Sequence, residues 1–288
     1  MIVRIIRPPS RHWTSPSEVD YPLQEPTSRE GCDVLPLRSI QFTWPTPRPR
    51  QFPWTVPAFV GLESLDLHSP VTFLVGDNGS GKSTLLESLA EAAGFNPEGG
   101  SQHANYAALH TNTALHGAIR LIWNRKTRNG FFFRAESFFS YAGYVDDLGP
   151  GATDPYGGKS LHEWSHGESF LALFKHRLRG KERRGPESAL YLFDEPEAAL
   201  STTGQLAFLR LLKEWADSRR IQVIAATHSP ILLALPGASL YSLDSSPLQP
   251  ITYRESAPYQ LTRAFLESPD RFMTSRPYRA GFCLLTIQ

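Results

Sequence analysis

The segment Gly76-Asp77-Asn78-Gly79-Ser80-Gly81-Lys82-Ser83-Thr84 constrains this chain more than any other. It fits the pattern of Gly, four residues of any kind, Gly-Lys, then Ser or Thr. Glycines let a backbone wrap closely enough for its N–H groups to point at phosphate oxygens. An apolar, β-branched run, Val71-Thr72-Phe73-Leu74-Val75, enters the segment, and an apolar-periodic stretch, Thr84-Leu85-Leu86-Glu87-Ser88-Leu89-Ala90, leaves it. This order predicts a strand, a phosphate loop and a helix whose positive N-terminus faces the same anion. Gly76 to Thr84 are therefore candidate contacts to a nucleoside triphosphate. Lys82 is placed to reach the β- and γ-phosphates, and the Ser83 hydroxyl to ligate Mg²⁺. The bland alternative, a glycine-rich turn before a helix, does not account for both flanking elements.

A phosphate loop needs a carboxylate partner. The run Ala189-Leu190-Tyr191-Leu192-Phe193 ends in Asp194-Glu195-Pro196. An apolar strand that delivers an Asp at its C-terminal end can hold Mg²⁺, directly or through water. Glu195 follows immediately, points differently and is the candidate general base for an attacking water. A third run, Ile221-Gln222-Val223-Ile224-Ala225-Ala226, leads into Thr227-His228-Ser229-Pro230. Near-continuous apolar strands are what a parallel sheet covered on both faces requires. Helical patterns at Ser83–Ala93, Glu168–Leu178 and Thr203–Ser218 alternate with them, which indicates an α/β fold. Ala118–Trp123 and Gly130–Ala135 read as two further strands across a turn at Lys126–Gly130, and Leu35–Thr43 as another.

Composition sets the frame. The chain has 288 residues, 41% hydrophobic and 20% charged, enough to bury a sizeable core. Its net charge of +1 gives no bulk argument for nucleic acid or membrane. The two cysteines, Cys32 and Cys283, offer neither a disulfide framework nor a structural metal site. No apolar stretch is long enough for a membrane-spanning helix, and Met1–Pro9 is too short and interrupted for a signal peptide. A cytoplasmic protein is expected. Proline is concentrated early: eleven of the 24 prolines fall at or before Pro57. Residues 1–34 are expected to form a poorly ordered, Pro-rich extension, 35–275 the folded domain, and 276–288 a tail whose structure the sequence does not define. A final amphipathic helix is expected at Tyr259–Leu266.

Further motifs bring in a family resemblance. Trp164-Ser165-His166-Gly167-Glu168 lies between the phosphate loop and Asp194 and resembles a degenerate form of the signature motif of ABC-type ATPases, with Ser165 and Gly167 matching it. His228 follows Asp194 at an interval that family shows, and resembles its switch histidine. Glu197-Ala198-Ala199-Leu200-Ser201 occupies the place of the loop that communicates across the family's dimer. Glu136, within Phe131–Phe139, stands where the glutamine loop would supply a metal contact, although a core aromatic strand explains that stretch nearly as well. Trp54 and Phe59 are guesses for an aromatic that stacks on adenine. The chain is most similar to compact bacterial ATPases grouped with SMC, RecF and OLD-type proteins. The interval from Lys82 to Ser165 leaves no room for the long coiled coil of full SMC proteins.

The resemblance implies a P-loop NTPase fold with a mostly parallel sheet flanked by helices and a small antiparallel β region. It implies ATP and Mg²⁺ as cofactors, with Lys82, Glu195 and His228 catalytic and Ser83, Asp194 and Glu136 at the metal. It also implies an ATP-dependent homodimer in which Ser165 and Gly167 of one chain meet the phosphates held by the other. Three outputs remain open: a switch or motor in a DNA-associated or defence process, the ATP-binding subunit of a membrane transporter, and a weakly hydrolysing regulator acting through a protein partner. Lys175–Arg184 and the set Arg120, Arg125, Lys126, Arg128 and Arg134 are basic clusters suited to DNA phosphates, or equally to solvated loops and helix ends.

Overall fold

In a computed structural model of the chain, the described residues are 35–97, 99–100, 114–127, 129–136, 143 and 188–273. Two sheets organise them. The larger has six strands: β3 (Val71–Val75), β5 (Asn129–Arg134), β6 (Ala189–Asp194), β7 (Ile221–Ala226), β8 (Ser239–Ser242) and β9 (Gln249–Ile251). Their spatial order is β5-β6-β7-β3-β8-β9, parallel throughout except for β9, which returns antiparallel to β8. The smaller is antiparallel, with β1 (Leu37–Phe42) between β2 (Ser64–Asp66) and β4 (Ile119–Trp123). This is the mostly parallel α/β sheet with a small antiparallel region that the sequence implies.

Period-2 alternation divides the core. On β6, Ala189, Tyr191 and Phe193 join one buried cluster, and Leu190 and Leu192 join the other. The first face is covered by α2 (Thr202–Ser218), through Phe208, Leu212 and Trp215. The opposite face is covered by α1 (Lys82–Ala93), through Leu85, Leu86 and Leu89, and by the small sheet, through Leu37 and Ile40. Both β6 and β7 are buried along their whole length, which is why they read as continuous apolar runs.

One polar residue interrupts that pattern. Gln222 on β7 is fully buried. Its amide nitrogen donates to the Leu37 carbonyl at 2.9 Å, and its amide oxygen accepts from the Leu37 N–H at 2.8 Å. The side chain thus pairs with β1 as a neighbouring strand would, and ties the two sheets together.

The segment 118–135 differs from the sequence reading. Both strands form, but they do not pair across a turn. β4 joins β1 in the small sheet, while β5 crosses over to lie parallel beside β6. Turn residues between two strands suit a hairpin, but nothing local fixes the partner of a strand. The buried aromatics Phe131, Phe132 and Phe133 need the large sheet's two-sided core, and Gly130 permits the approach: a Cβ there would stand 2.2 Å from the Leu190 carbonyl oxygen.

The C-terminal helix α3 (Ala257–Glu267) contains the expected Tyr259–Leu266 and buries none of its residues. Among the described residues, no helix is long and apolar enough to cross a membrane. The proposed extension 1–34, the tail 276–288 and the helical pattern Glu168–Leu178 lie outside the described residues.

Candidate functional site

Five parallel strands point the same way, so their carboxyl ends share one edge of the sheet, where ligands of open α/β sheets bind. β3 delivers the loop Gly76–Gly81, β6 delivers Asp194 and Glu195, and β7 delivers His228. The flanking strands β5 and β8 bring Arg134 and Asp244 to the same edge. Sequence order separates these residues widely, but the order β6-β7-β3 makes their strands neighbours.

The loop has the shape its glycines allow. Gly79 and Gly81 adopt φ of 81° and 101°, a region that disfavours side chains. A Cβ on Gly81 would come within 2.7 Å of Val56, and one on Gly76 within 2.6 Å of the Ser80 hydroxyl. Lys82 is buried at the first turn of α1, and its ammonium donates to the carbonyls of Gly76 at 2.7 Å and Asp77 at 3.0 Å. The lysine therefore lies across the loop it closes. Burial lowers its pKa, opposed by the carboxylates of Glu195, Asp194, Asp244 and Asp77. The start of the loop is anchored by Asp244, whose Oδ1 accepts from the Asp77 N–H at 2.8 Å.

Ser83 Oγ donates to Asp194 Oδ1 at 3.1 Å. A hydroxyl and a carboxylate at this distance are the hard oxygen donors that suit Mg²⁺, so the residues present fit that ion. Asp194 is buried, which raises its pKa to about 6; the Ser83 hydrogen bond and the Arg134 guanidinium pull the other way. Arg134 also pairs with Glu87 on α1 at 2.9 Å, and its Nε lies 3.8 Å from Asp194. Arg134 therefore belongs to this site. Its inclusion in a surface cluster suited to DNA phosphates is a correction, since its side chain is only 14% exposed. Arg120, Arg125 and Lys126 are exposed, whereas Arg128 and Lys175–Arg184 lie outside the described residues.

Glu195 adopts the left-handed conformation, φ 49° and ψ 54°, uncommon for a residue with a side chain and costing on the order of 1–2 kcal/mol. Its Oε1 lies 3.5 Å from His228 Nε2, an atom that is buried and has no hydrogen-bond partner among the described residues. A cleft of about 220 Å³ opens beside His228, lined also by Gly76, Asp77 and Asp244 and by Pro258 and Leu261 of α3.

Of the other candidates, Glu136 stands just past β5 with its carboxylate 88% exposed and 3.7 Å from Arg134. Trp54 and Phe59 do not offer a stacking platform: both are buried in the core beneath the phosphate loop, a correction with a plain cause, since a solvent-facing ring is needed to receive a base. Ser165 and Gly167, with the rest of Trp164–Glu168, lie outside the described residues. Sequence reasoning missed Asp244 and the site role of Arg134. Each depends on a partner far away in the chain, and the only local signal is a charged residue just past or at the end of an apolar strand.

Two family models match the chain, one described as "AAA domain" over residues 57–133, the other as "AAA domain, putative AbiEii toxin, Type IV TA system" over residues 169–234. The first contains the phosphate loop; the second contains Asp194, Glu195 and His228. Similar solved structures include the SMC head domain from Thermotoga maritima, 16% identical, covering 75% of this chain and 99% of that one, with a TM-score of 0.42. Another is cbiO1 from Clostridium perfringens, part of the ABC transporter complex cbiONQ, 16% identical over 83% of this chain and 99% of that one, with a TM-score of 0.43. No curated protein matches the chain. The two AAA-type matches meet at one sheet edge, and together with the phosphate loop they support a P-loop, ABC-like ATPase fold.

Proposed function

We propose that this protein binds ATP with Mg²⁺ and hydrolyses it, as a homodimer that closes on nucleotide and opens after the reaction. The observation that carries the reading is the convergence of the Lys82 loop, the Ser83–Asp194 pair and the Glu195–His228 pair at one edge of the sheet. Loop amides and Lys82 bind and orient the triphosphate. Ser83 and Asp194 would hold Mg²⁺, which supplies charge neutralisation on the phosphate oxygens. Glu195 orients a water and accepts its proton, and His228 fixes the position of that water beside the transferred phosphoryl group. Ser165 and Gly167 of the second copy complete the cradle.

A switch or motor in a DNA-associated or defence process is the output we favour. The model matched by residues 169–234 carries a toxin–antitoxin description, which supports the defence side of that reading. The test is ATP turnover with Mg²⁺ and with chelator, with and without duplex DNA, alongside light-scattering mass with and without ATP. Mg²⁺-dependent turnover with an ATP-dependent doubling of mass is expected, and DNA stimulation would select the DNA-associated output. Wild-type protein that neither hydrolyses ATP nor changes mass would overturn the reading.

A further inference from the structure

We propose that Glu197 is a positioning residue whose carboxylate clips the loop carrying His228 to the loop carrying Glu195, and so fixes the distance between those two groups. The proposal rests on the ATPase reading above. Glu197 Oε2 accepts from the Thr227 hydroxyl at 2.8 Å, and Oε1 accepts from the His228 N–H. One carboxylate thus uses both oxygens on two successive residues of the β7 exit. Thr227 is fully buried, and its Oγ also accepts from the Ser229 N–H at 3.0 Å, so this turn is held from both sides. A second tie runs parallel to the first: Ser229 Oγ donates to Gln205 Oε1 at 2.7 Å, and Gln205 donates to the Leu200 carbonyl at 3.3 Å.

The clip acts on the base as well. Glu197 lies in the short 3-10 turn Pro196–Ala199, and the Ala198 N–H of that turn donates to the Glu195 carbonyl at 3.0 Å. The Glu195 N–H donates to the Ala226 carbonyl at 3.0 Å. The left-handed Glu195 is therefore over-determined by its neighbours, which is the condition under which such a backbone persists. Removing the carboxylate takes away the tie on Thr227 and His228 themselves, leaving the Ser229–Gln205 bond beyond them and the Glu195–Ala226 bond before them, and does not touch the Lys82 loop. Small misplacements of reacting groups cost rate far more than affinity.

The experiment compares wild type, Glu197→Ala, Glu197→Gln, Thr227→Val, His228→Ala and the double variant Glu197→Ala/His228→Ala. Turnover, ATP affinity and hydrogen exchange of the His228 amide are measured on each. Glu197→Ala is expected to lower kcat by roughly 10- to 100-fold, with ATP affinity within about twofold of wild type. Glu197→Gln keeps an acceptor for the His228 N–H and should recover most of the rate. In the His228→Ala background the further loss should shrink to about twofold or less, because both changes remove one function. The His228 amide should exchange faster in Glu197→Ala and stay protected in Glu197→Gln. If Glu197→Ala does not fold, Thr227→Val removes one of the two bonds at nearly constant volume, and the same kcat-only loss is expected. The proposal is overturned if Glu197→Ala turns over like wild type, or costs as much without His228 as with it. Wild-type protein with no turnover would instead sink the ATPase reading, and unchanged amide exchange in Glu197→Ala would sink the clip itself.

Discussion

Ser83 Oγ lies 3.1 Å from Asp194 Oδ1 and donates a hydrogen bond to it, joining two residues 111 positions apart in the chain. The helix that follows the phosphate loop and the strand that carries Asp194 are thereby tied together without any ligand. Preorganised donors of this kind pay their ordering cost during folding rather than during catalysis.

Lys82 is buried and lies across its own loop, so it cannot be replaced by solvent or by a neighbouring side chain. Lys82→Ala is expected to reduce turnover by at least about 100-fold and to weaken ATP binding, because the same charge serves ground state and transition state. Nucleotide titration beside a turnover assay checks both halves. Retained ATP affinity would assign Lys82 to the transition state alone.

Glu195→Gln removes proton acceptance while keeping shape and one acceptor oxygen. Turnover should fall by about 10²- to 10⁴-fold with ATP still bound, and ATP should then trap the dimer. Light scattering of the variant with ATP reads this out. Turnover equal to wild type would assign the base elsewhere.

Asp194 gives the site a pH signature. Burial lifts its pKa from 3.8 to about 6, so between those values the folded chain holds a proton that the unfolded chain has lost. The free energy of unfolding therefore falls as pH rises through that window, by on the order of 3 kcal/mol for this group. Asp194→Asn should abolish that fall and melt several degrees above wild type at pH 7.5 in chelator, with the difference vanishing near pH 4. It should also lose turnover. Wild-type hydrolysis should rise with pH through the acid range, with a midpoint moved below 6 by Mg²⁺, which favours the ionised carboxylate.

Gly130→Ala tests the crossover of β5. The new methyl would meet the Leu190 carbonyl at 2.2 Å and the Phe95 ring at 2.4 Å. A loss of about 1–3 kcal/mol in unfolding free energy is expected, measured by denaturant titration. Unchanged stability would mean that β5 and β6 are not packed as closely as described.

The sequence showed the phosphate loop, Asp194, Glu195 and His228 because each sits at the end of an uninterrupted apolar strand, and parallel strands place such ends together by rule. It did not show which sheet receives β4 and β5, because pairing is decided by distant surfaces: β5 needs β6, which begins only at Ala189. Trp54 and Phe59 looked available for a base because exposure is not encoded in an aromatic's identity. Arg134 escaped for the converse reason: a charge at the end of an apolar strand reads as surface until the fold shows that it meets Glu87. Glu197 was legible only as part of the loop resembling the one that communicates across the dimer, because its partner Thr227 lies 30 residues further on.

The Gln222 amide has a mechanical meaning. Peeling the small sheet from the large one would strip a buried donor and a buried acceptor together, and would orphan both backbone groups of Leu37. Each stranded group costs about 1–3 kcal/mol, so the joint does not loosen by degrees. Gln222 lies on the same strand that runs into His228. The joint between the two sheets and the turn that carries His228 are therefore opposite ends of one fully buried strand.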